Sequence, residues 1–291
     1  MSPVEQPAPA GPEPRIQLRR VVKSFGRKRV LDGLDLSVAA GASMVVIGGS
    51  GTGKSVTLRH VIGLLKPDSG SVVVDGVAIE QLDNRGLTEF RRRFGMAFQE
   101  GALFDSMNVY DNVAFPLRRL SRKSAGEIRE RVEECLEMVR LAGQGARDIS
   151  ELSGGMRRRV GFARAIAHEP EILLFDEPTT GLDPVNTALI GEVIRHIGER
   201  LKTTAVTITH DMQLAFRIAD RIAMLDHGKI IAEAPPEEFK ELSDPRVQQF
   251  IHGDAEGPLS EDLSKDGEDG EDGDDGGSGE AARRRAAASA H

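Results

Sequence analysis

A chain of 291 residues with a net charge of −8 is long enough for one large α/β domain or two small ones. The charge sits at one end: Asp254 to His291 holds 12 acidic and 4 basic residues, leaving 34 of each sign elsewhere, so the body is neutral and lacks the basic excess of a nucleic-acid binder. Cys135 is the single cysteine, which excludes an internal disulfide and suits a reducing compartment.

The first 14 residues are rich in Pro and Ala. They lack the basic start and apolar core of a secretory signal, so they read as disordered. No run of about 18 apolar residues occurs, so no segment reads as a membrane span. The expectation is a cytoplasmic, soluble protein that reaches a membrane only through a partner. Ile16 to Val22 and Val30 to Val38 alternate as strands, with Gly26-Arg27-Lys28-Arg29 as the turn and Phe25 just before it. Ser43 to Ile47 reads as a short buried strand. Gly48-Gly49-Ser50-Gly51-Thr52-Gly53-Lys54-Ser55 follows and fits G-x-x-x-x-G-K-[ST]. Lys54 to Leu65 then reads as a helix with Leu58, Val61, Ile62 and Leu65 on one side.

Strand, glycine loop and helix are the context a phosphate-binding loop requires. Its N–H groups can converge on a polyphosphate at the positive end of the helix. Lys54 would reach the β- and γ-phosphates, and the Ser55 hydroxyl would coordinate Mg²⁺.

Further along, Ser71 to Ile79 reads as a strand turning at Asp75-Gly76, and Gly95 to Gln99 as a short apolar strand. From Met107 to about Ala167 the helical period dominates, with Ile128, Val132, Leu136 and Val139 as one stripe and Cys135 packed beside it. This stretch is read as a helical insertion over about 100–168. Ile172 to Phe175 is a continuous apolar run, as expected of a central parallel strand. It ends in Asp176-Glu177. A carboxylate there would hold Mg²⁺ through a water. Glu177 next to it could deprotonate an attacking water, whereas taken alone the pair could simply open a loop. Leu152-Ser153-Gly154-Gly155-Met156 opens an apolar helix whose bare N–H groups could meet another phosphate, although Ser-Gly-Gly alone is only a cap. Arg157, Arg158 and Arg159 read as a solvated or interface face. Pro184 to Leu201 reads as a helix capped by Asp183. Thr204 to Thr209 is a strand ending at His210, and Arg221 to Ala232 a hairpin around Asp226-His227-Gly228. A small helix is expected over Pro236 to Leu242 and an amphipathic piece over Asp244 to Ile251. Beyond Gly253 the composition cannot bury a core and reads as disordered.

Gly48 to Ser55, Gln99, Leu152 to Met156, Asp176-Glu177, Gly181-Leu182-Asp183 and His210 stand in the order of an ABC-type nucleotide-binding domain. The resemblance covers roughly Ile16 to Ala234. It implies an α/β P-loop fold with an α-helical subdomain and an N-terminal antiparallel β subdomain. The expected limits are 15–243 for that domain, 244–253 for a docking segment and 254–291 for an acidic tail. It also implies two copies stacked head to tail around two ATP molecules, with Gly48 to Ser55 of one copy and Ser153 to Gly155 of the other on the same triphosphate. By the same resemblance Phe25 stacks on adenine, and Gln99 touches the metal and signals to the membrane subunit. Asp183 links the two sites, and His210 contacts the γ-phosphate. Two residues depart from the family pattern. Val56 replaces the usual Ser or Thr, so an α-phosphate contact falls to backbone N–H groups. Phe25 replaces the usual Tyr.

A single ATPase copy without a long heptad run favours a membrane-transport subunit over a soluble ABC mechanoenzyme. Phe98-Gln99-Glu100-Gly101-Ala102-Leu103-Phe104 onwards, and the ending Asp244 to Phe250, resemble the ATP-binding subunits of Mla and Mce phospholipid transporters. An amino-acid or other small-solute importer is the alternative. The resemblance implies permease subunits, a lipid-binding Mce-domain protein and, in some members, a small cytoplasmic regulatory subunit as partners. Nucleic acid is not an expected partner. The location implied is the cytoplasmic face of the inner membrane.

Overall fold

The long alternating strands Ile16–Phe25 and Lys28–Val38 and the almost continuously buried strands Ser43–Ile47, Ile172–Asp176 and Thr204–Thr209 fall in two different sheets. The computed structural model describes residues 14–99 and 101–260. The disorder expected of 1–13 and 261–291 lies outside the described residues. The strands are β1 (Ile16–Phe25), β2 (Lys28–Val38), β3 (Ser43–Ile47), β4 (Ser69–Val74), β5 (Val77–Ala78), β6 (Phe94–Ala97), β7 (Ile172–Asp176), β8 (Thr204–Thr209), β9 (Arg221–Asp226) and β10 (Lys229–Ala234). Half-buried, alternating β1, β2, β4 and β5 make an antiparallel sheet in the order β2-β1-β4-β5. The remaining six lie in the order β10-β9-β3-β8-β7-β6, parallel from β9 to β6. β8 is buried at every position, as a strand covered on both faces must be.

The helices are α1 (Lys54–Val61), α2 (Asn84–Arg91), α3 (Val109–Leu120), α4 (Ala125–Met138), α5 (Gly154–Ile166), α6 (Pro184–Leu201), α7 (Met212–Ile218), α8 (Pro236–Lys240) and α9 (Pro245–His252). α1 stops at Val61, four residues short of the apolar pattern, because Leu64 N and Leu65 N turn back to bond Arg59 O at 2.8 and 3.1 Å. α1 shares one core with both sheets. Leu58 and Val61 lie in a continuous apolar cluster with Ile16, Leu34 and Val72 of one sheet and Val46, Leu174 and Val206 of the other. Each such side chain contributes roughly 1.5–3 kcal/mol on burial, so the packing holds the glycine loop that precedes α1 at a set position. α3, α4 and α5 form the helical insertion. α4 opens with a capping box in which Ser124 and Glu127 satisfy each other's backbone N–H. Its stripe of Ile128, Val132 and Leu136 is buried, as are Cys135 and Val139. No described helix is long and apolar enough to cross a membrane.

A second unit begins at Leu242. In it Asp244 caps α9 and Gly253 ends it in the left-handed conformation. The described chain continues beyond the expected start of the acidic tail. Gln249 Nε2 donates to Asp254 O and Ser260 Oγ, both at 3.2 Å, and Gln249 Oε1 accepts from Leu259 N at 2.8 Å. Residues 254–260, helical at 258–260, are therefore pinned on one buried amide.

Candidate nucleotide-binding site

Ligands of open parallel sheets bind at the carboxyl ends of the strands, and this sheet gathers its polar candidates there. β3 ends in the glycine loop, β6 runs out to Gln99, β7 ends in Asp176-Glu177, and β8 ends at His210. β3, β8, β7 and β6 are consecutive neighbours, so residues as far apart in sequence as Gly48 and His210 come to one edge.

The loop is built for close approach. Gly48 has φ +153°, and a Cβ on it would lie 2.3 Å from Leu225 O. A side chain there would push the loop off β9. Gly51 and Gly53 also have positive φ. Lys54, 7% exposed, donates from Nζ to Gly48 O and Gly49 O, both at 2.8 Å. Ser55 Oγ lies 3.3 Å from Asp176 Oδ1.

Glu177 sits at the centre of the charge arrangement. Its Oε1 is 3.7 Å from Lys54 Nζ. Its Oε2 is 2.9 Å from His210 Nδ1 and accepts from Thr180 Oγ1 at 3.3 Å. Its backbone holds φ +47°, a conformation costly for a residue with a Cβ and typical of functional sites. Burial pushes the Lys54 ammonium down, opposed by the charges of Glu177 and Asp176. Burial pushes the Asp176 carboxyl up, offset in part by the Ser55 hydroxyl. Asp176 is thus a carboxylate short of positive charge, next to a hydroxyl, with a glycine cradle and an ammonium nearby. That donor set fits a hard divalent cation bridged to phosphates.

Other expected site residues stand apart. Phe25 is 47% exposed at the end of β1, and Lys23 Nζ lies 5.8 Å from its ring centroid. Asp68 fixes this strand end: it accepts from Lys23 Nζ at 2.8 Å and Ser24 N at 2.7 Å. Those bonds hold the Asp68 carboxyl below the usual range, the Lys23 bond most. Gln99 is exposed beyond β6 and, among the described residues, makes no hydrogen bond to Ser55 or Asp176. Ser153 caps α5, accepting from Met156 N at 3.3 Å. Ser153 and Gly154 are exposed and make no hydrogen bond with the glycine loop of their own chain among the described residues. Asp183 caps α6 through Val185 N and Asn186 N, both at 3.0 Å.

Of the three arginines after Met156, Arg157 is exposed as a solvated face requires, whereas Arg158 is half-buried and Arg159 buried, and all three bond backbone carbonyls. Arg157 Nε donates to Leu152 O at 3.1 Å. Arg158 donates to Pro178 O and Thr180 O. Arg159, almost fully buried, donates to Val139 O at 3.1 Å and Arg140 O at 2.8 Å. Each closes carbonyls at the end of a neighbouring segment, which a charge run in the sequence cannot reveal. Asn112 was likewise missed. Fully buried, it accepts from Phe104 N and donates to Phe104 O, Met107 O and Asn108 O. It holds the segment after Gln99, leaving Phe104 40% exposed against Phe115.

Over residues 31–180 the chain matches the family described as ABC transporter. It is 42% identical over 251 residues to the probable ribonucleotide transport ATP-binding protein mkl of Mycobacterium leprae, covering 86% of this chain and 72% of that one. It is 40% identical over 244 residues to the intermembrane phospholipid transport system ATP-binding protein MlaF of Haemophilus influenzae, covering 84% and 92%. Among solved structures, the ATP-binding cassette MJ0796, dimeric in a post-hydrolysis state with ADP and Pi, superposes with a TM-score of 0.69. That match has 33% identity and covers 76% of this chain and 98% of the cassette.

Proposed function

Because the chain belongs to the ABC transporter family, we propose that it is the ATP-hydrolysing subunit of a transporter that moves phospholipid between membranes. The observation that carries the ATPase assignment is Glu177, poised between Lys54 and His210 at the mouth of the glycine loop. The loop amides and Lys54 hold the phosphates, and Phe25 stacks on the base. Ser55 and Asp176, with Gln99, are the residues that would hold Mg²⁺, which when bound neutralises charge on the phosphates. Glu177 takes the proton of the in-line water. In the chain as described, the Lys54 ammonium and the His210 imidazole both contact the Glu177 carboxylate, so turnover requires the γ-phosphate to draw both groups off it. Ser153 to Gly155 of a second copy closes the site, consistent with the dimeric state of the related cassette.

Phospholipid as cargo rests on the relative named for phospholipid transport, of which this chain covers 92%. The relative named for ribonucleotide transport supports a second reading. Permease subunits would dock at Phe104 and its neighbours on the cytoplasmic face of the inner membrane. A lipid-binding Mce-domain protein and a small cytoplasmic regulatory subunit complete the proposed assembly.

The test is the complex purified with its permease in vesicles, assayed for ATP hydrolysis and for transfer of fluorescent phospholipid. Lys54→Ala should weaken nucleotide binding. Glu177→Gln should bind ATP and stop both activities. Phe104→Asp should leave hydrolysis by the isolated chain intact and abolish transfer. Normal turnover by Glu177→Gln would remove the general base from the scheme. Uptake of a ribonucleotide with no lipid transfer would overturn the cargo.

A further inference from the structure

Arg158 joins two parts of the chain that the proposed dimer assigns to different nucleotides. It is half-buried on α5, in the second turn after Ser153. Its Nη1 donates to Pro178 O at 2.9 Å, and its Nη2 donates to Thr180 O. These carbonyls belong to the turn that leaves Glu177. The same turn is tied at its other side, where Thr179 Oγ1 donates to Asp211 Oδ2 at 3.1 Å. Asp211 follows His210 and caps α7. Thr180 Oγ1 in turn donates to the Glu177 carboxylate. A second contact reinforces the connection. Gly155 lies so close to Asn186 that a Cβ on it would be 2.8 Å from Asn186 Oδ1, and Asn186 Nδ2 bonds the Asp183 cap. The start of α5 is therefore braced against the whole segment from Pro178 to Asn186.

In the head-to-tail arrangement, on which this inference rests, Ser153 to Gly155 meets the partner's triphosphate while Glu177 and His210 meet their own. A shift of α5 on contact with phosphate would reach the Glu177 turn through Arg158. The guanidinium suits this task because its rigid fork can span two carbonyls two residues apart, which a lysine ammonium on a flexible stem does not match.

We propose that Arg158 is a positioning residue that sets the Glu177 turn from the signature helix and makes hydrolysis at the two sites of the dimer cooperative. The test compares full-length wild type, Arg158→Lys and Arg158→Ala for nucleotide binding, kcat, KM, Hill coefficient and thermal midpoint. Wild type should hydrolyse ATP with a Hill coefficient above 1. Arg158→Ala should bind fluorescent ATP nearly as well as wild type, lose about ten- to a hundredfold in kcat through misplacement of the base, and show a Hill coefficient near 1. Arg158→Lys should fold normally and recover part of kcat without cooperativity, so it decides the matter if Arg158→Ala does not fold. A wild-type Hill coefficient of 1, or wild-type kcat and cooperativity in Arg158→Lys and in any folded Arg158→Ala, would overturn the inference. So would a kcat loss in Arg158→Lys that tracks its fall in thermal midpoint. Glu177→Gln, run alongside, separates the two levels: arrest of that variant with unchanged Arg158 variants rejects only the cooperative role, whereas its normal turnover rejects the site assignment beneath it.

Discussion

Asn112→Asp is a nearly isosteric change with a large expected effect. The native amide is fully buried. It accepts from Phe104 N at 2.9 Å and donates through Nδ2 to Phe104 O at 3.1 Å, Met107 O at 3.2 Å and Asn108 O at 3.0 Å. The carboxylate keeps the acceptor and removes both donors, so three carbonyls face an oxygen. A buried acceptor deprived of its donor costs about 1–3 kcal/mol, so two lost donors imply a total of at least about 2 kcal/mol at neutral pH. With an m-value of about 2–3 kcal/mol/M, the urea midpoint should fall by about 1 M. The pH dependence has a definite sign. The introduced carboxyl is disfavoured when ionised, so its folded pKa lies above the unfolded value of about 3.9. The ionisation part of the penalty is absent below that unfolded value, grows as pH rises, and is complete above the folded pKa. Urea unfolding followed by circular dichroism at pH 5 and pH 8 should show the larger deficit at pH 8. Asn112→Ala, which has no charge, should show the same deficit at both. A loss below about 1 kcal/mol at pH 8, or an equal loss at pH 5, would refute the role given to Asn112.

Two further outcomes follow from buried titratable groups. Burial pushes the Cys135 thiol up to about 12, so at pH 8 only about one molecule in 10⁴ carries the thiolate, against about a quarter in the unfolded chain. Native protein should resist iodoacetamide for hours and label within minutes in denaturant, and rapid native labelling would contradict the packing of α4. Burial likewise pushes the His60 imidazole down. His60 stays neutral in the fold while the unfolded chain takes a proton near ~6.5, so its contribution is full above that pH and is lost as pH falls toward the folded pKa. The slope is at most about 1.4 kcal/mol per pH unit, and His60→Gln should flatten the stability profile between pH 6.5 and 5. An unchanged profile would place the acid sensitivity elsewhere.

Much of the candidate nucleotide site was legible because its signals are local. Glycines followed by Lys54-Ser55, an apolar run ending in Asp176-Glu177, a strand ending at His210 and a Ser153 cap are each written within about eight residues, where strand period, helix period and capping act. α6 and β8 follow their sequence patterns from end to end for the same reason. α2 and α7 escaped because an eight-residue and a seven-residue helix bury only two and three side chains, too few to show a period. What only the tertiary structure decided is which distant groups meet. The order β3-β8-β7-β6 puts Glu177 beside both Lys54 and His210. The contacts of Arg158 with Pro178 and Thr180, of Asp68 with Lys23 and Ser24, and of Asn112 with Phe104 are side-chain bonds to places with no pattern of their own. A backbone carbonyl has the same chemistry at every residue. Which one is left without a helix or strand partner, and so draws in an arginine or an asparagine, is settled only when the elements pack.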